Sequence, residues 1–122
     1  MKKMVLSFTT STGGDATATG ERAILSKLYA VEYRPAATSD ATLTLTCTEY
    51  GAVAKPLLTK ASSGASNVWY YPRDIPHAVA DGSALTASAG GDRVCPILAG
   101  VPKLVVASGG SALSGSLILF FE

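Results

Sequence analysis

Alternation of apolar and polar residues predicts that most of this chain forms β-strands. Residues 42–48 (TLTLTCT) place Leu43, Leu45 and Cys47 on one face and four threonines on the other. A strand with one buried face has this pattern, and β-branched residues suit its pleated surface. Residues 27–34 (KLYAVEYR) also alternate, so we predict a second strand there.

The two ends of the chain have the same character. Residues 3–10 (KMVLSFTT) followed by STGGDATAT predict a hairpin, in which Gly13 and Gly14 supply the tight turn. Residues 103–107 and 116–121 predict two strands around a Ser/Gly connection. The LILFF segment of the last strand is apolar on both faces, which is typical of a central or covered strand.

The remaining segments are predicted to be loops. Residues 35–41 and 61–67 are rich in small residues, and residues 72–93 form the longest irregular segment, with room for one short helical turn at 84–89. Short strands separated by turn residues indicate an all-β, single-domain protein over residues 1–122. We predict a β-sandwich or flattened barrel of about seven to nine antiparallel strands with one long loop.

Composition changes this picture in one respect. Charged residues make up 16% of the chain and the formal net charge is +1, whereas soluble domains average about 25% charged residues. A surface with so little charge suits a protein that works in an assembly, and the scattered basic residues predict no nucleic-acid binding. The apolar segments are too short for a signal peptide core or a membrane span, so we expect synthesis in a cytoplasm and no membrane partner.

The chemistry of known enzyme sites is hard to find in this sequence. His77 is the single histidine, and a triad with Asp74 or Asp81 lacks any supporting nucleophile motif. The acidic residues are spread singly, and Glu21, Glu32 and Glu49 are expected to be solvated. The glycine pairs of SAGGDR and ASGGSA are interpreted as hairpin turns, since neither has the ending of a phosphate-binding loop. We therefore expect no catalytic residues, no cofactor and no metal site.

The two cysteines, Cys47 and Cys95, have neither CxxC spacing nor a neighbouring histidine. We expect two reduced, buried thiols, because a cytoplasm disfavours a disulfide between them.

Large functional side chains concentrate in residues 67–77 (NVWYYPRDIPH), which include the single tryptophan. A strand at 67–71 would point Val68 and Tyr70 to one side and Trp69 and Tyr71 to the other, and would end at a proline that lacks an N–H. Three interpretations stay open: an interface, internal packing, or a platform for a sugar or base. We favour a partner interface formed by Trp69, Tyr70, Tyr71, Pro72 and Arg73.

The order of several motifs resembles a family of small virion proteins of tailed bacteriophages. These motifs are STGGDATATGERAILSKLYAVEYRP, LTLTCTEYG, YYPRDIPH and CPILAGVPKLVVASGGSALSGSLILFF. The correspondence lies at residues 14–17, 43–51, 71–73 and 97–120, which together extend over nearly the whole chain. The chain departs from the family at the Trp69–Tyr70 pair, where relatives tend toward small polar residues, and at Cys95–Pro96.

The resemblance implies a structural role in the phage particle and no catalytic residues. We expect a capsid decoration or cement protein on the capsid surface of the virion. Its expected partners are the major capsid protein or other virion proteins, and the resemblance favours a homo-trimer. The alternative is a carbohydrate-binding or tail- or neck-associated virion module that uses Trp69, Tyr70 and Arg73.

Overall fold

A computed structural model of the protein describes residues 1–35, 40–48, 54–61, 63–64, 66–73 and 93–122. These residues form eight strands and no helix, which confirms the predicted all-β class and strand number. The described segments accordingly include no helix that could span a membrane. The strands are β1 (Lys2–Thr9), β2 (Ala16–Thr19), β3 (Ile24–Arg34), β4 (Thr42–Thr48), β5 (Lys55–Lys60), β6 (Val68–Tyr70), β7 (Ile97–Ala107) and β8 (Ser114–Phe121).

The two long strands β3 and β7 join two groups of strands into one antiparallel sheet. The order is β1-β8-β3-β7-β4-β5, with β6 added to β3 and β2 added to β7. Residues 24–27 of β3 pair with residues 97–100 of β7, and the rest of each strand pairs with other neighbours. We call β1, β8, β3 and β6 the first half-sheet, and β2, β7, β4 and β5 the second half-sheet.

The inner sides of both half-sheets contribute to one hydrophobic core, as in the predicted sandwich or flattened barrel. Leu43, Leu45 and Cys47 of β4 are buried as the alternation predicted. Strand β8 lies between β1 and β3, which confirms that its apolar LILFF segment is a central strand. Among the core residues with no measurable exposure are Leu28, Val31, Leu98, Leu104, Leu117 and Leu119.

The predicted N-terminal hairpin is wrong, because β1 pairs with β8 and β2 pairs with β7. A tight turn at residues 11–14, in which the Gly14 N–H donates to the Ser11 carbonyl (3.0 Å), leads the chain from one half-sheet to the other. The ASGGSA segment makes the same kind of crossing between β7 and β8, which are not paired with each other. It is therefore not a hairpin turn either.

These two crossing turns contact each other. The Gly109 N–H donates to the Gly14 carbonyl at 2.7 Å, and the φ of +86° at Gly14 favours glycine there. The hydroxyl of Thr10, a residue that is 4% exposed, donates to the Gly110 carbonyl (2.5 Å) and accepts from the Leu113 N–H (2.8 Å). One buried side chain thus holds the β7–β8 connection against the end of β1.

We expect Thr10→Val to lower the free energy of unfolding by about 1–2 kcal/mol, because valine keeps the shape but leaves two backbone groups without their partner. Urea denaturation measures the change. Thr9→Val is the matched control, since the Thr9 hydroxyl bonds to that of Ser114 in an exposed pair and water can replace it. An equal loss in both variants would contradict the role assigned to Thr10.

Both cysteines are free, as predicted, but only Cys47 is buried and Cys95 is half-buried. Cys95 lies two residues before the start of β7. The predicted helical turn at 84–89 and most of the predicted long loop lie outside the described residues.

Candidate partner-binding surface

Strand β6 places the single tryptophan on the outer side of the first half-sheet. It pairs antiparallel with β3, so that Trp69 lies opposite Glu32 and Tyr70 lies opposite Val31. Cross-strand partners point to the same side of a sheet, and neighbours in one strand point to opposite sides. Trp69 therefore points outward, and Tyr70 points toward the core.

The Trp69 ring reaches across β3 to stack on Phe120 of β8. The ring centroids are 4.9 Å apart with an angle of 27° between the planes. Ala30, the partner of Phe120 on the intervening strand, is buried, and its small side chain leaves room for this contact. Trp69 stays 45% exposed and Tyr71, two residues further on, is 62% exposed. The stack thus fixes a large aromatic surface that is open to solvent.

Tyr70 has a different environment from Trp69. It is half-buried against the hydrophobic core, and its hydroxyl donates to the Ser63 carbonyl at 3.4 Å. Burial raises the pKa of Tyr70 and of the fully buried Tyr33, so both phenols are protonated at neutral pH. A strand with aromatic residues on both sides is confirmed, although it covers Val68–Tyr70 and not all of 67–71, and Trp69 on its outer side is 45% exposed.

Pro72 and Arg73 follow directly after β6. Pro72 is buried, and the strand ends at Tyr70, two residues before it, as its missing N–H predicted. Arg73 is exposed, and its Nη1 donates to the carbonyls of Tyr29 (3.0 Å) and Pro72 (2.6 Å). Of the five predicted interface residues, Trp69, Tyr71 and Arg73 are exposed, whereas Tyr70 is half-buried and Pro72 is buried.

Glu32 is not solvated, contrary to the prediction. It lies between Ile118 on β8 and Trp69 on β6 in the sheet register, and it is 8% exposed. Its carboxylate accepts a hydrogen bond from Nε of Arg34, two residues along the same side of β3. The ion pair compensates a charge that would otherwise be costly to bury. Alternation alone could not show this, because the strands on either side of Glu32 are distant from it in sequence.

These residues form one continuous surface that we call the aromatic face. On the outer side of the first half-sheet, Lys3 and Val5 of β1 pair with Phe120 and Ile118 of β8, respectively. Val5 is 50% exposed, and Lys3 is exposed next to Phe120. The aromatic face is defined here by Lys3, Val5, Arg34, Trp69, Tyr71, Ile118 and Phe120.

The outer side of the second half-sheet has a different chemistry, and we call it the threonine face. Thr44 of β4 and Thr17 of β2 both pair with Val105 of β7. Lys103, two residues earlier on β7, points to the same outer side and also pairs with a threonine on each neighbouring strand. The threonines of this face are apparent in the sequence segments TLTLTCT and ATAT. The sequence did not show that both segments pair with the same strand. The threonine face is defined here by Thr17, Thr19, Thr42, Thr44, Thr46, Thr48, Thr59, Lys103 and Val105.

Within the described ranges, no three His, Cys, Asp or Glu side chains lie close enough together to hold a metal ion. His77, Asp74 and Asp81 lie outside those ranges, as do Glu49 and most of SAGGDR. No protein family, curated protein or solved structure matches the chain.

Proposed function

We propose that this chain is a structural protein of a tailed bacteriophage particle: a decoration protein that binds the assembled head and stabilises it. The order of sequence motifs supports the phage context, and the aromatic face supports the binding role. The observation that carries the proposal is the Trp69–Phe120 stack, a preformed aromatic surface on a sheet with low charge. Partners are the major capsid protein or other virion proteins, on the capsid surface.

The physical basis is added buried area where capsid subunits meet. Tryptophan, tyrosine and arginine are enriched among the residues that dominate binding energy at protein interfaces. Trp69, Tyr71 and Arg73 are such residues, and all three are exposed. Each copy that buries this surface against two neighbouring capsid subunits would oppose their separation. Trimer formation by this chain belongs to the same proposal, because it multiplies such contacts through avidity.

The second candidate is a carbohydrate-binding or tail- or neck-associated virion module, which the exposed Trp69 ring favours. An aromatic ring open on one side is the element that stacks on a sugar. However, Tyr70 points to the core and cannot share a platform with Trp69, and Arg73 already donates to two carbonyls. The platform would thus consist of Trp69 and Tyr71, and it would lack Tyr70 and Arg73, which the sequence predicted as part of it.

Analysis of purified phage particles tests the proposed function. We expect mass spectrometry to detect the chain in particles, and cryo-electron microscopy to place it on the outside of the head. Particles from a phage with the gene deleted should release DNA at a lower temperature, and added purified protein should restore the original temperature. Absence of the chain from particles would overturn the proposal, and density at the tail or neck would favour the second candidate.

A further inference from the structure

We infer that the aromatic face is the docking surface of this protein, and that it fits an acidic protein surface with an apolar centre on the assembled phage head. This inference rests on the proposed function and adds to it the side of the protein that binds and the chemistry of its partner. Three features of the described residues support it: exposed apolar side chains, exposed basic side chains, and the protection of two sheet edges.

The aromatic face has exposed apolar side chains, and part of it is already ordered. Trp69 and Val5 are about half exposed and Tyr71 is more exposed still, while Phe120 lies beneath the Trp69 ring. Contact between Trp69 and Phe120 restricts the tryptophan before any partner arrives, so little side-chain entropy remains to be lost on binding. Apolar and aromatic groups at the centre with charges around them are typical of interface cores and rims.

The charges of the aromatic face favour an acidic partner. Lys3 and Arg34 are exposed on this face, and Arg73, which is also exposed, follows β6. Among the described residues paired across this face, the one carboxylate is that of Glu32, which is buried and bonded to Arg34. Basic residues around an apolar centre are complementary to carboxylates around an apolar patch, and they raise the association rate at low salt.

Two of the four edge strands, β5 and β6, are poorly suited to docking by strand addition. Edge strand β5 has lysines at both ends and carries Pro56, and its pairing with β4 shifts register between Leu45 and Thr46. Lysine, proline and bulges are the devices that prevent pairing at open edges. Edge strand β6 has three residues, which offers few backbone groups to a partner. β-Augmentation at β5 or β6 is therefore disfavoured.

Matched substitutions on the two faces test the inference. Val5 and Val105 are both exposed valines, and Lys3 and Lys103 are both exposed lysines, one of each pair on each face. Purified variants are added to phage heads that lack this protein, and co-sedimentation measures the dissociation constant. We expect Val5→Asp and Lys3→Glu to weaken binding by about tenfold or more, equivalent to 1.4 kcal/mol. We expect Val105→Asp and Lys103→Glu to bind like the wild type.

Tryptophan fluorescence gives an independent signal, since Trp69 is the single tryptophan and lies on the aromatic face. We expect its emission to shift to shorter wavelength, and its quenching by acrylamide to fall, when empty heads are added. Binding of the wild type should weaken as salt concentration increases, while Lys3→Glu should show a smaller salt dependence. Urea denaturation of each variant confirms that it is folded before binding is measured.

The outcomes separate the inference from the proposed function. Wild-type binding that is lost in the Val105 and Lys103 variants, and kept in the Val5 and Lys3 variants, overturns the docking surface and leaves the proposed function standing. Equal weakening in all four variants also overturns the docking surface. No binding of the wild type to heads overturns both, and a Trp69 emission shift with soluble glycans alone supports the carbohydrate-binding candidate.

Discussion

Replacement of Leu119 by alanine is expected to lower the free energy of unfolding by about 2–5 kcal/mol. Leu119 has no exposed surface, and it lies at the centre of β8 between Met4 on β1 and Val31 on β3. Strands fixed on both sides cannot move inward to fill the space that the removed methyl groups leave. The cost therefore includes both lost burial and a residual cavity.

Urea denaturation at constant temperature measures this loss. An unchanged m-value would show that the variant and the wild type expose the same surface area on unfolding, so that their free energies can be compared. The matched control is Leu25→Ala, because Leu25 is 82% exposed on β3. We expect that control to change stability by less than about 0.5 kcal/mol. A small effect of Leu119→Ala, equal to that of the control, would contradict the position of β8 in the middle of the sheet.

Local patterns predicted the strands whose environment follows from their own residues. In β4, the alternation of leucine and threonine gave correct limits and correct faces, because one side of this strand meets the core and the other meets solvent. In β8, uninterrupted apolar residues predicted a central strand, and neighbours on both sides confirm it. A strand's own residues are sufficient for such a prediction where their polarity matches the burial of each face.

The first half of β7 could not be predicted in the same way. Residues 97–102 (ILAGVP) include Gly100 and Pro102, both of which are disfavoured within strands. In the structure, Pro102 lies close to the point where β7 changes partner from β3 to β2 and β4. Gly20 approaches Pro102 so closely that its N–H donates to the Pro102 carbonyl at 2.8 Å. Pairing with distant strands thus overrides the local preference of Gly100 and Pro102 against a strand, although glycine and proline mark turns correctly elsewhere in the chain.

Pairing between distant segments also explains what was missed at the candidate site. The sequence predicted that Trp69 and Tyr70 point to opposite sides, and the structure confirms it, but it did not show that Phe120 lies under Trp69. The burial of Glu32 depends on the same neighbours, since Trp69 and Ile118 lie on either side of it. The aromatic face is assembled from four strands that span almost the entire chain, so no single segment contains its pattern.

A methyl group at Gly115 is expected to lower the free energy of unfolding by about 2–3 kcal/mol, because it overfills the core. A Cβ there would lie 2.7 Å from the Phe8 ring and 3.0 Å from the Arg34 carbonyl, and that ring is stacked with Tyr33 and cannot easily move. Gly13→Ala is the control, since its nearest neighbour would be 3.7 Å away. Urea denaturation compares Gly115→Ala with this control. Equal midpoints would show that Phe8 can shift, and the close contact between β1 and β8 would then not limit side-chain size at residue 115.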